Sequence, residues 1–242
     1  MGRRHRTGIG PEPGANPGAT PDDILAAVTT RIAVLASGAG TNAEALLGAA
    51  SRGELGDAEV VLLVSDRDGC GALAAARRAG VEALFVDPAA PGVAGDRDAY
   101  GRVLVAALAQ RQVDLVCLAG FMRILSPGFI TAYESRVLNI HPALLPAFPG
   151  AHAVADALAW GVKITGTTVH FADEAVDHGP IVAQACVPVL EGDDEAALHG
   201  RIKAVEHRLY PEAIRLVIEG RTATVGRRVL VTAAPGPEVV HR

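Results

Sequence analysis

The sequence predicts an α/β fold with a doubly wound, mostly parallel sheet, and three observations support this. Short apolar, β-rich runs alternate with helix-like segments through the middle of the chain. These runs are apolar throughout rather than alternately polar, which is typical of parallel strands buried on both faces. A glycine-rich loop joins the first such run to the first helix-like segment, as in many α/β folds that bind ligands.

The first part of the chain supplies four of the predicted strands, with helices between them. Right-handed crossovers between successive parallel strands follow from the chirality of the chain. In order, the predicted elements are a strand at 31–36, a helix at 42–52, a strand at 59–65, a helix at 69–79, a strand at 83–86, a helix at 97–110 and a strand at 114–119.

The second part of the chain departs from strict alternation. Its predicted elements are a strand at 136–141, a helix at 151–160, strands at 165–171 and 181–189, and a helix at about 193–219. The last two strands are joined by a polar loop, which suggests an antiparallel hairpin in an otherwise parallel sheet. Leu198, Ile202, Val205 and Leu209 share one face of the long helix, and Pro211 is expected to kink or break it.

The composition argues against several classes of protein. The chain has 242 residues and a formal net charge of −5, so it lacks the dense basic surface of nucleic-acid-binding domains. It is 50% hydrophobic, too apolar for a disordered chain, and only 4% aromatic, so small aliphatic residues must form the core. No uninterrupted apolar run approaches the ~18–20 residues of a membrane span. We expect no nucleic-acid or membrane partner, and a monomer or homodimer.

The three cysteines, Cys70, Cys117 and Cys186, are far apart and odd in number. Without a CxxC pair they support neither a zinc site nor a disulfide framework, and no metal is expected. Their simplest interpretation is as buried small hydrophobic residues in a reducing compartment, which predicts a cytoplasmic protein.

The two ends of the chain differ in composition from the middle. Residues 1–30 begin with a stretch rich in proline and glycine and predict a disordered arm. Arginines near its start resemble an export signal, but the apolar stretch that must follow is absent, so export is not expected. We predict one folded domain at 31–220 and a tail at 221–242 that contains one strand-like run at 228–233.

The glycine-rich loop at 37–42 reads Ser-Gly-Ala-Gly-Thr-Asn. Its glycines permit a tight turn, and the N-terminus of the following helix favours an anion. With Ala43 the string also reads GxGxxA, a relaxed dinucleotide fingerprint that Asp66 would complete. Thr41 and Asn42 offer donors where dinucleotide loops usually carry apolar residues, which favours a phosphomonoester. The string alone leaves both alternatives open.

The segment Leu138-Asn139-Ile140-His141-Pro142 is the most informative stretch. On a strand, Asn139 and His141 point to one side and Leu138 and Ile140 to the other. Two polar side chains at the C-terminal end of a strand stand where open α/β sheets place their ligands. Pro142 restricts His141 and stiffens the loop that follows, which suits preorganised catalysis. The alternative is that both side chains simply bond to backbone groups.

Two further loops are candidates for the same edge of the sheet. Residues 121–127 form a mixed apolar and cationic loop that could line a pocket for a flat ligand. The acidic loop at 173–177 is either solvated or functional. His170 is expected to be structural, or to support the site residues without touching the ligand, rather than to be a metal ligand. Residues expected to serve packing or the surface are His152, His199, His207 and Trp160.

Six strings occur in one order along the chain: SGAGTN, AGFMRILSP, NIHPALLPAFPG, GTTVHF, DHGPIVAQ and EHRLYP. Together they closely resemble the phosphoribosylglycinamide formyltransferase family, the folate-dependent glycinamide ribonucleotide transformylases of purine synthesis. The resemblance covers about 31–220. It implies a Rossmann-like formyltransferase fold and transfer of the formyl group of 10-formyltetrahydrofolate to the amine of glycinamide ribonucleotide, without a metal.

The resemblance also implies roles for single residues. Asn139 would donate to the formyl oxygen, His141 would act as proton donor and electrostatic stabiliser, and Asp177 would hold His141 and favour its imidazolium form. Lys203 would meet the phosphate and Glu206 the ribose hydroxyls. The full ribonucleotide set is Gly40, Thr41, Asn42, Lys203 and Glu206.

The same resemblance places the folate against the loops at 121–127 and 173–177. Its implied contacts are Arg97, Met122, Arg123, Ile124, Leu125, Asn139, Asp173, Glu174, Ala175, Val176 and Asp177. Two positions depart from the family pattern. His178 stands where glycine is more usual, which bears on the path of the acidic loop and on the pH profile, and Ala39 replaces a residue that is often polar.

Two other functions compete with this one. A sister folate enzyme, such as methionyl-tRNA formyltransferase or formyltetrahydrofolate hydrolase, would share the Asn, His and Asp but would need a basic surface or a further domain. A non-catalytic dinucleotide-binding module would use Gly38, Gly40 and Ala43, and it would leave Asn139 and His141 without a task.

Overall fold

A computed structural model describes residues 29–232. The predicted arm therefore lies outside the described residues except for its last two positions, and the first strand begins at Thr30, inside the predicted arm. The division of the chain into an arm, a domain and a tail stays a prediction.

The described residues form nine strands and six helices in the order that the alternating pattern indicates. They are β1 Thr30–Leu35, α1 Thr41–Ser51, β2 Ala58–Ser65, α2 Gly71–Arg78, β3 Glu82–Phe85, α3 Arg97–Ala109, β4 Leu115–Leu118, α4 Pro127–Ala132, β5 Val137–His141, α5 Ala153–Trp160, β6 Ile164–Phe171, β7 Ile181–Pro188, α6 Glu195–Ile218, β8 Thr222–Val225 and β9 Arg228–Val231.

All strands join one sheet in the order β3-β2-β1-β4-β5-β6-β7-β9-β8. The first five strands in that order are parallel. β6 runs antiparallel to both β5 and β7, and β8 runs antiparallel to β9. The predicted fold class, a mostly parallel α/β sheet with an antiparallel hairpin in its C-terminal part, is confirmed.

The core lies on both faces of this sheet, as continuous apolar strands require. Ile32 and Val34 of β1 pack towards α1, α2 and α6, whereas Ala33 and Leu35 pack towards α3 and α4. Most of the largest fully buried side chains are leucines, joined by Tyr210 and Phe129. The low aromatic content is therefore matched by an aliphatic core.

The structure differs from the predicted elements at three places, and the first is the helix α4, which was not predicted. Its sequence signal was a capping pair: the Ser126 hydroxyl accepts from the Phe129 amide at 3.2 Å, and Pro127 occupies the first helical position. Phe129 is fully buried, so packing against α3 stabilises this short helix.

Second, Pro211 was expected to kink or break the last helix; it does not break it, because α6 continues to Ile218. Tyr210, Ala213 and Ile214 on either side of the proline are buried in the core. This packing compensates for the hydrogen bond that a proline removes, a cost of about 3 kcal/mol in an exposed helix.

Third, the segment after Gly220 is more than a tail with one strand-like run. β8 and β9 form a hairpin, and β9 joins the edge of β7 through the pair Ile181 and Arg228. Val229 packs against the main core, which explains why this weakly patterned segment is part of the sheet.

The cysteines follow the prediction only in part. Cys117 is buried, and burial raises the pKa of its thiol to about 12. Cys70 is half-buried and Cys186 is exposed on β7. The expectation of buried cysteines is therefore correct for Cys117 alone.

The fold brings three loops to one edge of the sheet, because β1, β4 and β5 are parallel neighbours. The Tyr210 hydroxyl of α6 lies 3.0 Å from Leu118 O, at the end of β4, and 2.9 Å from Leu138 O, in the neighbouring strand β5. This contact fixes α6 beside the same edge. Within residues 29–232, no helix combines the length and the apolar character needed to cross a membrane.

Candidate active site

A cleft of about 640 Å³ opens at the C-terminal ends of β1, β4 and β5. Its walls are the glycine loop at 38–42, the loop at 119–125, the acidic loop at 172–177 and one face of α6. Asn139 and His141 lie at its base. The sequence predicted this edge from the direction of the strands alone.

Asn139, His141 and Asp177, here called the catalytic cluster, come together at the base of the cleft. His141 Nδ1 lies 3.3 Å from Asp177 Oδ2, and Asn139 Nδ2 lies 3.4 Å from Asp177 Oδ1. The side chains of His141 and Asp177 are 5% and 8% exposed, so their interaction is largely shielded from water. Sequence reasoning from the residues did not pair them; the implied family role did.

Both ring nitrogens of His141 face acceptors. Nδ1 faces Asp177, and Nε2 lies 2.8 Å from the carbonyl oxygen of Phe148, which can only accept. Burial lowers the pKa of His141, whereas the Asp177 carboxylate and the Phe148 carbonyl act in the opposite direction and favour the imidazolium. Asp177 therefore favours the charged ring as expected, but the effect of burial is larger and the pKa of His141 is lowered.

Asp177 has a left-handed backbone, with φ +55°, which non-glycine residues rarely adopt. Its Oδ2 accepts from the Gly150 amide at 2.7 Å. Burial acts to raise the pKa of Asp177, but the nearby imidazole of His170, the Gly150 amide and the imidazole of His141 outweigh it, and the pKa is lowered. Asp177 is thus held as a carboxylate.

His170 contacts this cluster from β6. It stands opposite Asn139 in the antiparallel pair of β5 and β6, and its Nε2 lies 3.0 Å from Asn139 Nδ2. Its Nδ1 lies 2.9 Å from Phe171 O, which can only accept, and its Nε2 faces the amide donor of Asn139. His170 therefore orients the amide of Asn139.

The glycine loop presents the N-terminus of α1 to the cleft. Gly40 precedes the helix with φ +82°, and a Cβ at this position would lie 2.6 Å from Ala72 Cα. The first amides of α1, at Thr41 and Asn42, have no acceptor within the helix and are available to an anion. A phosphate group fits this geometry.

On the facing helix, Lys203 and His199 are four positions apart and both line the cleft beside this loop. His199 was expected to serve packing or the surface, and its spacing from Lys203 was the signal that pointed to the cleft. Burial and the charge of Lys203 lower the pKa of His199.

Glu206 lines the same end but is 3% exposed. Its Oε2 accepts from Asn42 Nδ2 at 2.8 Å, and its Oε1 lies 3.4 Å from Thr167 Oγ1. Burial raises the pKa of Glu206. The carboxyl group that was expected to meet the ribose thus also ties Asn42 to α6.

The opposite end of the cleft carries an apolar rim of Met122, Ile124 and Val176, which are 62%, 56% and 52% exposed. The Met122 amide donates to the Ser37 hydroxyl at 2.9 Å, which ties this loop to the end of β1. Large apolar side chains this exposed around a cleft are typical of a ligand-binding surface.

Arg123 is held between Tyr100 and Asp66. Its guanidinium carbon lies 5.1 Å from the centre of the Tyr100 ring, and Nε lies 3.9 Å from Asp66 Oδ2. Asp66, the residue that would have completed a dinucleotide fingerprint, is therefore engaged by a cation. This contact weakens the dinucleotide alternative.

The structure brings all but one of the predicted site residues to the cleft. Arg97 lies in the exposed first turn of α3 and does not line it. The predicted residues that do line it are Gly40, Thr41, Asn42, Met122, Arg123, Ile124, Leu125, Asn139, His141, Asp173, Glu174, Ala175, Val176, Asp177, Lys203 and Glu206.

Other contributors carry no chemical signature in the sequence. Phe148 and Gly150 act through backbone atoms, so only their position after β5 points to them. Among residues 29–232, no group of three or more His, Cys, Asp or Glu side chains is arranged to hold a metal ion.

Comparisons with known proteins point to one family. The family model described as "Formyl transferase" matches residues 30–214. A phosphoribosylglycinamide formyltransferase of Mycobacterium tuberculosis (strain ATCC 25618 / H37Rv) is 49% identical over 209 residues, 83% of this chain and 94% of the relative.

Solved structures of the same family are also similar to this chain. Glycinamide ribonucleotide transformylase 1 from Symbiobacterium toebii is 50% identical with a TM-score of 0.81, over 85% of this chain and 95% of that one. Phosphoribosylglycinamide formyltransferase from Bacillus halodurans is 42% identical with a TM-score of 0.74, over 78% of this chain and 95% of that one.

Proposed function

The chain belongs to the formyl transferase family, among its phosphoribosylglycinamide formyltransferases, and from this premise we propose how its cleft carries out the reaction. It transfers a formyl group from a formyl-folate to the amine of glycinamide ribonucleotide in purine biosynthesis. The donor in our proposal is 10-formyltetrahydrofolate.

The reaction exchanges one carbon–nitrogen bond for another. The amine nitrogen of the ribonucleotide attacks the formyl carbon, the formyl oxygen gains negative charge, and the bond from the formyl carbon to the folate nitrogen then breaks. The amine loses one proton and the folate nitrogen gains one. The protein must therefore stabilise an oxyanion and assist a proton transfer.

Asn139 donates to the formyl oxygen in this proposal. Its amide is oriented by His170 at 3.0 Å, while its contact with Asp177 at 3.4 Å is the weaker one. The formyl oxygen can replace that weaker contact without disturbing the bond to His170. A donor fixed before the substrate binds needs little reorganisation when the oxyanion forms.

His141 stabilises the same charge and supplies the proton to the folate nitrogen. The imidazolium donates from Nδ1 to Asp177 and from Nε2 to Phe148 O, so a substrate oxygen or nitrogen must replace one of these acceptors. Because burial lowers the pKa of His141, its proton is released more readily than that of an exposed histidine. Asp177 keeps the imidazole ring in place while His141 gives up its proton.

The two ends of the cleft suit the two substrates. The N-terminus of α1 with Lys203, and with His199 beside it, forms a cationic end for the phosphate of the ribonucleotide. The apolar rim takes the flat ring system of the folate, and the loop at 173–177 covers it. Asn42 and Glu206 face the ribose.

The observation that carries this proposal is the catalytic cluster, hydrogen-bonded at the base of a cleft between an anion-binding end and an apolar rim. A spectrophotometric assay of the full chain with 10-formyltetrahydrofolate and glycinamide ribonucleotide tests it. We expect formyl transfer that requires both substrates.

Omitting the ribonucleotide, or replacing it with methionyl-tRNA, distinguishes the sister enzymes. Formyl release to water, or transfer to the tRNA with none to the ribonucleotide, would contradict our proposal. Binding of NAD in calorimetry without formyl transfer would favour the dinucleotide module instead.

We further propose a cytoplasmic enzyme that is a monomer or a homodimer and needs no metal. The three free cysteines fit a reducing compartment. Light scattering on the purified chain decides the assembly, and activity that survives a chelator supports metal independence.

A further inference from the structure

The hairpin of β8 and β9 reaches the loop that carries Asp177. Its turn residue Arg227 donates from Nη2 to the carbonyl oxygen of His178 at 2.6 Å, and its Nη1 lies 3.2 Å from His178 Nδ1. His178 follows Asp177 directly in the chain. The guanidinium therefore contacts the residue that adjoins the partner of His141.

Bonds within the acidic loop at 173–178 are local. The Ala175 amide donates to Asp173 Oδ1, and the His178 amide donates to Ala175 O. These bonds shape the loop but do not attach it to the rest of the fold. Because Asp177 has a left-handed backbone and lies in a largely exposed loop, its position depends on contacts that reach outside the loop.

Besides the contacts of Asp177 with His141 and Asn139, two further contacts from outside the loop lie on either side of it. On one side its own carboxylate accepts from the Gly150 amide at 2.7 Å. On the other side Arg227 holds the backbone at His178. Arginine suits this task because its planar group presents several donors in a fixed arrangement.

The hairpin is itself fixed where this contact is made. β9 pairs with β7 at Ile181 and Arg228, and Ile181 follows His178 by three positions. Between them Gly179 approaches the backbone so closely that a Cβ would lie 1.8 Å from Phe171 O. Arg227 therefore acts from a rigid base rather than from a free end.

We propose that Arg227 is a positioning residue for formyl transfer, acting through the His178 backbone to keep Asp177 on His141 and Gly150. The inference rests on the proposed role of Asp177. Arg227 touches neither substrate in this arrangement. Through Arg227 the C-terminal hairpin contributes to the reaction, although it lies far along the sequence from the catalytic cluster.

The test compares Arg227→Ala with Arg228→Ala in the full chain. Arg228 is an adjacent exposed arginine of β9 that pairs with Ile181 through its backbone, so its variant removes the same charge and leaves the contact with His178 intact. We expect kcat to fall about 2- to 10-fold in Arg227→Ala, the range for losing one ordinary hydrogen bond, with KM for the ribonucleotide nearly unchanged. Arg227→Lys, which keeps one cationic donor, should recover part of the loss.

A second measurement does not depend on activity. Hydrogen exchange of the Gly150 amide, followed by NMR, reports its bond to Asp177, and it should be at least about 3-fold faster in Arg227→Ala than in Arg228→Ala, at equal melting temperatures. Equal exchange at Gly150 in the two variants overturns the proposal. If the unaltered chain transfers no formyl group, the proposed function fails, while the Gly150 comparison still decides whether Arg227 positions Asp177.

Discussion

Asn139 and His141 at the base of the cleft have partners for their side-chain nitrogens before any ligand binds, whereas Met122 and Ile124 at its rim are more than half exposed. The base is held by β5, β6 and the loops that follow them. The rim consists of exposed loop residues. In the proposed reaction, groups that act on the transition state are thus fixed in advance, and groups that bind the substrate gain their contacts only when it binds.

The largest expected effect comes from removing one hydrogen-bond donor from the base of the cleft. We expect Asn139→Ala to lower kcat by ~10²–10³, about 2.7–4 kcal/mol, because the developing oxyanion loses a preorganised donor. His141→Ala should fall in the same range. Steady-state kinetics with both substrates measures this, and near-normal turnover in Asn139→Ala would refute its assignment to the formyl oxygen.

Asp177→Asn tests whether the base depends on charge as well as on position. The carboxylate favours the imidazolium of His141 against the effect of burial, so its removal lowers the pKa of His141 further. The imidazolium is then lost at a lower pH, and activity that needs it falls most on the alkaline side. We expect a loss on the order of 10–10²-fold there and less at acid pH.

A pH–rate profile from about pH 5 to 9 measures this difference. Asp156→Asn is the matched control, because Asp156 is an exposed carboxylate of α5 outside the cleft. A uniform loss across the whole pH range in Asp177→Asn would argue for a purely structural role.

The anion-binding end of the cleft is intermediate between the base and the rim. Its backbone is fixed like the base, but its donors, the first amides of α1, have no acceptor within the helix and are available to a ligand. Gly40→Ala places a Cβ 2.6 Å from Ala72 Cα at a positive φ and should displace the first turn of α1. We expect KM for the ribonucleotide to rise on the order of 10-fold, with a smaller effect on kcat.

Gly38→Ala provides the comparison within the same loop. A Cβ there meets no atom within 4 Å, so its effect on KM should be much smaller. If the two variants behave alike, the glycine loop does not bind the phosphate through its backbone geometry.

The smallest expected effect belongs to the rim. Ile124→Ala removes apolar area that only the ligand covers, so KM for the folate should rise about 3- to 10-fold with kcat nearly unchanged. Thermal unfolding should be unaffected, because the side chain is 56% exposed. A lower melting temperature or a large fall in kcat would show that the rim is part of the fixed base.

The sequence predicts well where periodicity and strand direction decide the outcome. The alternation of strands and helices gave the parallel sheet, and the direction of β5 placed Asn139 and His141 at the ligand edge. It predicts poorly where distant parts of the chain meet. The pairing of Asp177 with His141 depends on the path of a loop, and only a family resemblance assigned it in advance.

Contacts made by backbone atoms are a second limit. Phe148 O and the Gly150 amide hold His141 and Asp177, yet nothing in the identity of those residues reveals it. Likewise, the sequence predicts that Pro211 interrupts the helix. The packing of its neighbours on α6, which keeps the helix continuous, is known only from the folded chain. Arg97 does not line the cleft, so its implied contact with the folate stays a prediction.

Tyr210 has a consequence for which amines the enzyme accepts. Its hydroxyl holds α6 against the carbonyl of Leu138, the residue before Asn139, and Lys203 lies seven positions earlier on the same helix. At 1.5 Å per residue this is a spacing of about 10.5 Å along α6. In the proposed arrangement, where Lys203 binds the phosphate, this fixed segment of helix limits how far the phosphate can lie from Asn139. We therefore expect a ligand with a shorter or longer linker between phosphate and amine to be a poor substrate.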